Sequence, residues 1–361
     1  MKLLKFPKHT FGGNKNFFPY IYILNNVCSD LSCLRPNMKK LVLSAFLTGI
    51  VFAASAQQDP QFTQFFNNKL IMNPGYAGAK DAICATMLGR FQWVGYQGAP
   101  TSALISVDLP VWTKGNNQIS AGLTTYMDYI GFEKNYALRV AGAYRRKNLG
   151  PGHLSVGVDF GFSNKGIENP TWIYPSGMPD PNIPASGSSF NNFGFDLGVG
   201  VYYHTDTWYA GVSALHLTAS EFKDINVRQA RHMFFMGGYT FKSIGGSDFD
   251  LNPNVLVKTE FATAQFDANL NVIWREFYWG GLTYRIQDAV AINLGMNFGA
   301  LTPKLNGLQI GYSYDINTSR LNAFNSGTHE VMLRYCFKIT KEQEIIKRYN
   351  VRFMDYNRDR F

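Results

Sequence analysis

Beyond about residue 82 the chain alternates. Phe193, Phe195, Leu197, Val199, Val201 and Tyr203 are interleaved with Gly194, Asp196, Gly198, Gly200 and Tyr202. The same period returns where Val290, Ile292, Leu294, Met296 and Phe298 alternate with Ala289, Ala291, Asn293, Gly295 and Asn297. It returns again where Leu154, Val156, Val158, Phe160 and Phe162 alternate with Ser155, Gly157, Asp159, Gly161 and Ser163. Successive side chains of a strand point to opposite faces, so each segment has one greasy face and one small or polar face. Soluble sandwiches alternate too, but these segments run about ten residues, the length of a tilted membrane strand rather than the ~5–6 of soluble sheets. Aromatics gather at segment ends, as in Trp208-Tyr209, Phe277-Tyr278-Trp279 and Tyr312 with Tyr314, where interface girdles belong.

The pattern predicts fourteen strands, near 82–92, 99–111, 117–128, 133–146, 153–163, 192–204, 208–215, 231–242, 250–262, 265–274, 277–286, 289–298, 307–316 and 328–337. An even number is what bacterial barrels use. With the N-terminus periplasmic, the long connections 164–191, 216–230 and 317–327 face outward and the tight turns Thr205–Thr207 and Arg275-Glu276 face inward, the expected asymmetry. The last strand ends Val331, Leu333, Tyr335, Phe337, which resembles the signal read by barrel-assembly machinery. No run after residue 57 approaches the ~20 apolar residues of a spanning helix, so an exported membrane protein of this kind must cross as a barrel. The expected fold is all-β, a transmembrane antiparallel β-barrel of about 14 strands.

Composition agrees. Aromatics make up 15% and charged residues 16%, well below the usual ~25% charged, and there are 34 glycines. Mean hydropathy is slightly negative, the balance of a surface half lipid-facing and half polar. The net charge of +9 is concentrated at the start: Lys2, Lys5, Lys8, Lys15, Arg35, Lys39 and Lys40 stand against Asp30 before residue 57. Without that region 34 − 7 = 27 bases face 25 − 1 = 24 acids, a net of +3, so nucleic acid is not an expected partner.

From Met38 the chain reads Lys39-Lys40, an apolar run Leu41 to Ala54, then Ala54-Ser55-Ala56 before Gln57. This is a signal peptide with cleavage between Ala56 and Gln57, and no cysteine follows to make a lipoprotein. Residues 1–37 read as an upstream extension with Met38 the initiator, a genuine cytoplasmic tail being the alternative. The expected organisation is therefore extension 1–37, signal peptide 38–56, periplasmic N-terminal segment 57–81, barrel 82–337 and charged periplasmic tail 338–361.

Candidate chemistry is sparse. His153, His204, His216, His232 and His329 are scattered, with no metal-binding spacing, nucleophile elbow or phosphate loop. No catalytic residue, metal or cofactor is expected. Gly198 and Gly200 read as close packing on the lumen face, and Asp159, Asp196 and Asp267 as lining a polar interior. Cys84 near the start of the first strand and Cys336 near the end of the last become neighbours when the barrel closes. Two readings stay open there, a disulfide across the seam and two unpaired small residues. The proline-rich loop 164–191 offers Trp172, Ile173, Tyr174 and Met178 as a partner surface or as a lid. Phe62, Phe65, Phe66 and Leu70 make the segment before the barrel apolar, either to plug the lumen or to bind a partner.

Several segments together resemble one family. Gln58-Asp59-Pro60-Gln61-Phe62-Thr63-Gln64 with Met72-Asn73-Pro74-Gly75-Tyr76-Ala77-Gly78 is similar to the opening of PorP/SprF proteins, and Arg90-Phe91-Gln92-Trp93-Val94-Gly95-Tyr96-Gln97-Gly98-Ala99-Pro100 to their second motif. Gly311-Tyr312-Ser313-Tyr314-Asp315 and Ser326-Gly327-Thr328-His329-Glu330-Val331-Met332-Leu333-Arg334-Tyr335 are similar to the last two strands. The resemblance spans about residues 57–338. It implies a Bacteroidota outer-membrane protein of the type IX secretion and gliding-motility system, with a barrel similar to the fatty-acid transporters (FadL-like). It also implies a non-enzymatic role, binding or anchoring a large secreted adhesin with a C-terminal sorting domain or linking other secretion subunits to the outer membrane and its lipid. A passive channel or hydrophobic-solute transporter is the alternative, and an outer-membrane hydrolase a weaker one.

Overall fold

A computed structural model describes residues 59–168, 170, 171, 187, 189–222, 227–246, 248–260, 263–300, 305–318 and 323–337. Residues 1–58 and 338–361 lie outside these, and with them the signal peptide, its Ala56/Gln57 junction and the charged tail.

Fourteen strands close into a barrel: β1 (Ile83–Phe91), β2 (Thr101–Lys114), β3 (Asn117–Ile130), β4 (Glu133–Leu149), β5 (Gly152–Ile167), β6 (Phe190–His204), β7 (Trp208–Leu215), β10 (His232–Tyr239), β11 (Phe249–Thr259), β12 (Ala264–Trp274), β13 (Tyr278–Arg285), β14 (Ala289–Asn297), β15 (Leu308–Asn317) and β16 (Thr328–Phe337). Each pairs antiparallel with its neighbour in the chain, and β1 pairs with β16 to close the ring. The pattern of alternation located all fourteen, with ends within a few residues. Two differences stand out. β5 runs to Ile167 and β6 begins at Phe190, so the connection between them is shorter than 164–191. A small hairpin, β8 (Glu221–Phe222) and β9 (Val227–Arg228), sits between β7 and β10; two-residue strands are too short to show a period.

Burial runs inside out. Along β5, Val156, Val158, Phe160 and Phe162 are exposed while Ser155, Asp159 and Ser163 are buried. On β14 and β15 the outward Ile292, Leu294, Ile310 and Tyr312 alternate with inward Asn293, Ser313 and Asp315. An apolar belt of this extent requires lipid, since soluble monomers rarely expose large contiguous apolar patches. Among the described residues no helix is long and apolar enough to cross a membrane, and the crossing is made by strands. Aromatic pairs such as Tyr203–Trp208, Trp274–Tyr278 and Tyr335–Phe337 stand at the rim where β1 begins, and Tyr129–Tyr136 and Phe162–Phe195 near the opposite rim. Inside, uncharged polar groups bond across the wall: Asn254 donates to Asn269, Asn269 and Asn293 to Thr283, and Ser313 to Asn293, at 2.6–3.2 Å.

At the seam Cys84 and Cys336 are direct partners in the β1–β16 register, and their sulfurs are bonded across a sequence separation of 252 residues. A cross-link of this span removes loop-closure freedom from the unfolded chain, an effect typically worth ~2–4 kcal/mol.

Two outcomes follow. Peptide mapping without reductant is expected to yield a Cys84 peptide joined to a Cys336 peptide, and identical maps with and without reductant would exclude the bond. Leu294→Arg should cost about 2–4 kcal/mol in urea unfolding from lipid vesicles, as a charge on the lipid face does near mid-bilayer; an unchanged midpoint would mean that this face does not meet lipid.

Candidate functional site

The chain's own residues Asp59–Asp81 run inside the lumen. The segment passes from the rim opposite the start of β1, where Asp59 meets His216, through the barrel to the rim where β1 begins. The sequence reading placed 57–81 in the periplasm and left plugging and partner binding open; the described part lies inside the barrel. Its apolar spacing was visible, but not the lumen patches that receive it.

Near the entry rim the plug is clamped by charge. Glu330 of β16 accepts hydrogen bonds from the backbone N–H groups of Thr63 (2.7 Å) and Gln64 (2.9 Å). The Thr63 hydroxyl donates to Asp315 of β15 (2.7 Å) and accepts from Arg90 of β1 (2.7 Å). Arg90 also pairs with Asp315 (2.9 Å) and Glu330 (3.1 Å), all three side chains being at most 2% exposed. Arg285 extends the cluster to Asp267 and Asp288. The four segments that carry the family resemblance therefore meet at one point: Thr63 and Gln64 from the first, Arg90 from the second, Asp315 and Glu330 from the last two.

Below the clamp the contacts are apolar. Phe62 packs with Leu88, Leu104, Tyr126, Trp279 and Met332, while Phe65, Leu70, Met72 and Tyr76 pack with Tyr202, Leu215, Phe234, Met236 and Leu256. Phe66 meets Trp279 edge-on at 5.6 Å. Phe62, Phe65 and Phe66 are thus occupied by packing within the barrel. A short 3-10 turn, Pro74–Tyr76, then rests on the wall of β5 and β6. Asn73 caps it, accepting from Gly75 N–H (2.8 Å) and donating to the Val201 carbonyl (3.0 Å). A side chain at Gly157 would put its Cβ 2.5 Å from the Pro74 backbone, and Gly200 faces the Asn73 side chain equally closely. The close packing read into Gly200 is therefore against the plug, and that of Gly198 against Asp159, Leu215 and Arg139. At the exit rim Gly78 N–H donates to Asp108 (2.8 Å), Asp81 pairs with Arg145 and Lys147, and Arg334 donates to the Tyr76 hydroxyl (3.0 Å).

At the mouth, Asp59 meets His216 (Nε2 to Oδ2, 2.7 Å), whose Nδ1 lies 2.6 Å from Asp196. Asp196 and Asp159 share Arg139, and His232 pairs with Glu260 at 2.6 Å. Burial opposes charge on the His216 ring, but the carboxylates of Asp59 and Asp196 outweigh it and push its pKa up to about 9. Asp159, Asp196 and Asp267 line the interior, each with a cationic partner. His153 and His204 face each other at 5.0 Å, and His329 bonds Tyr312 at 2.6 Å. Trp172, Ile173, Tyr174 and Met178 lie outside the described residues.

Beside the plug lie a crevice of about 50 Å³ bordered by Pro60, Phe65, Phe234, Leu256 and Lys258, and at the exit rim a more open pocket of about 560 Å³ between Lys80, Ile273, Asn297 and Arg334. The clamp residues were quoted in the sequence motifs without a role. Their signal was phase: Arg90 and Glu330 occupy inward positions of strands, where a buried charge requires a partner.

Glu330→Gln should weaken the clamp by roughly 1.5–3 kcal/mol, since Asp315 still pairs Arg90 while the Thr63 and Gln64 N–H groups lose a charged acceptor. Gly157→Val should lift the Pro74 turn from the wall. In both variants, proteolysis at Lys69 is expected to speed up while the barrel stays folded, as judged by heat-modifiable gel mobility. Wild-type resistance in both would show that neither contact holds the plug.

No curated protein matches the sequence. Among solved structures, the barrel is similar to the CymD monoaromatic hydrocarbon channel (9% identity, 71% of this chain and 87% of that chain, TM-score 0.45). It is also similar to a TodX deltaS2S3 mutant monoaromatic hydrocarbon channel (9%, 75% and 94%, TM-score 0.44) and a Pseudomonas aeruginosa FadL homologue (11%, 74% and 92%, TM-score 0.40). The profile of the family described as "Type IX secretion system membrane protein PorP/SprF" matches residues 54–335, a span holding the plug, the four motif segments and all of the barrel but the last two residues of β16. The chain belongs to the PorP/SprF family, an outer-membrane β-barrel component of the type IX secretion system.

Proposed function

We propose that this barrel works as a closed, non-enzymatic platform, binding or anchoring a large secreted adhesin or linking the secretion machine to the outer membrane. The observation that carries the reading is the plug: the chain's own Asp59–Asp81 runs through the lumen, packed against its wall and clamped by Arg90, Asp315 and Glu330. A plugged barrel acts at its rims. The rim carrying both ends of the barrel has the tighter turns at 115–116, 150–151 and 205–207, which supports its assignment to the periplasm. The opposite rim, with the β5–β6 and β7–β10 connections, is then the adhesin-facing side, and the apolar positions Trp172, Ile173, Tyr174 and Met178 are the proposed contacts.

The channel reading draws on the solved structures titled as hydrocarbon channels and on the crevice beside the plug. It requires the plug to leave the lumen, against a buried ionic cluster and two apolar patches.

Two measurements separate the readings. Affinity purification of tagged protein from native outer membranes in mild detergent is expected to recover an adhesin with a C-terminal sorting domain or other secretion subunits. Recovery of the barrel alone, under conditions preserving another membrane complex, would count against the platform. In planar bilayers the wild-type barrel should conduct negligibly; steady conductance or solute flux comparable to an open porin would favour the channel.

A further inference from the structure

The mouth of the barrel brings together two histidines that are 16 positions apart in the chain and an aspartate from the plug. His216 follows β7, His232 begins β10, and Asp59 is the first described residue of the plug. One donor atom from each of the three lies within 4.8 Å of the other two. A fourth donor adjoins them, the Glu260 carboxylate 2.6 Å from His232 Nε2.

The rings are oriented as metal ligands are. His216 Nδ1 faces the Asp196 carboxylate at 2.6 Å, which leaves Nε2 toward Asp59. His232 Nδ1 faces the Ala230 carbonyl at 3.1 Å, which leaves Nε2 toward Glu260. A carboxylate or carbonyl holding one ring nitrogen while the other ligates is the usual outer-shell arrangement of a bound metal. Both rings are at most 2% exposed and stand 5.4 Å apart edge to face.

We propose that Asp59, His216, His232 and Glu260 form a binding site for a divalent ion of the zinc class, which fastens the plug to the mouth of the barrel. Two imidazoles and two carboxylates suit such an ion; at zinc bonds of ~2.0–2.2 Å the hydrogen-bonded pairs His216–Asp59 and His232–Glu260 each open slightly while the two pairs close on the ion by small side-chain rotations. Binding displaces the proton that otherwise bridges His216 and Asp59, so the ion replaces a proton-mediated contact with a coordinate one. The site joins the plug, the β7 end, the β10 start and the β11–β12 connection. It is independent of what the outer rim binds.

The test uses the full chain, purified in mild detergent with a tag free of histidine, stripped with EDTA and dialysed. Zinc titration by calorimetry and by competition with a chromophoric chelator is expected to show one ion per chain and a raised Tm. His216→Gln and His232→Gln should each lower affinity at least about tenfold, while His153→Gln/His204→Gln leaves it unchanged. Asp196→Asn, which leaves the four donors in place and alters the carboxylate against the outer nitrogen of His216, should weaken binding about 10–100-fold. Cobalt substitution of the wild type provides a readout that needs no variant: intense visible bands of a four-coordinate nitrogen–oxygen site are expected. Absence of those bands, absence of zinc binding, or equal affinity in the His216→Gln/His232→Gln double variant would overturn the assignment.

Discussion

Arg90 is a full charge held 2% exposed inside a membrane-embedded wall, and the arrangement around it organises the molecule. An isolated buried guanidinium would be prohibitive, so Asp315 and Glu330 stand beside it on the next strands across the seam. Two carboxylates against one arginine leave acceptor capacity unused. The plug fills it with the Thr63 hydroxyl and two backbone N–H groups. Closure of the barrel and docking of the plug are thus one electrostatic problem with one solution. Beside it, the Cys84–Cys336 bond ties the same two strands.

The plug is held by a different chemistry at each level. Charge fixes its entry, aromatic and aliphatic packing fixes its middle, and a 3-10 turn fitted against glycine-bearing strands fixes its lower part. The glycines are needed on the wall as much as on the plug: the Pro74–Gly75 backbone at Gly157, and the Asn73 and Pro74 side chains at Gly200, approach so closely that no β-carbon fits. Such matched surfaces make the plug part of the core, since they supply the apolar burial that a polar lumen otherwise lacks.

In the proposed platform role, partners would be held at the rims, and the plug packed within the barrel supports the wall that carries them. The Asn254–Asn269–Thr283–Asn293–Ser313 ladder adds rigidity one layer from the Asp267, Arg285 and Asp315 ion pairs on the same strands, with groups that need no counter-charge.

Period-two alternation over fourteen segments was enough to determine the class, the strands and which residues face lipid, because lipid accepts only apolar outward positions and a barrel must pair every strand. The neighbourhood of Cys84 and Cys336 was legible for the same reason: closure makes the first and last strands adjacent. The apolar run Phe62, Phe65, Phe66 and Leu70 was legible as apolar, but its place was not. Whether it lies outside the barrel or inside depends on lumen width and on the residues facing it from many strands, none of them near in the chain. The clamp was hidden likewise, with Arg90 separated from Asp315 and Glu330 by more than half the chain. Histidines that looked scattered are brought together at the mouth because β7 and β10 pair across the small hairpin. Local pattern decides the wall, since each wall position answers to lipid or lumen alone; what the wall encloses is decided only when it closes.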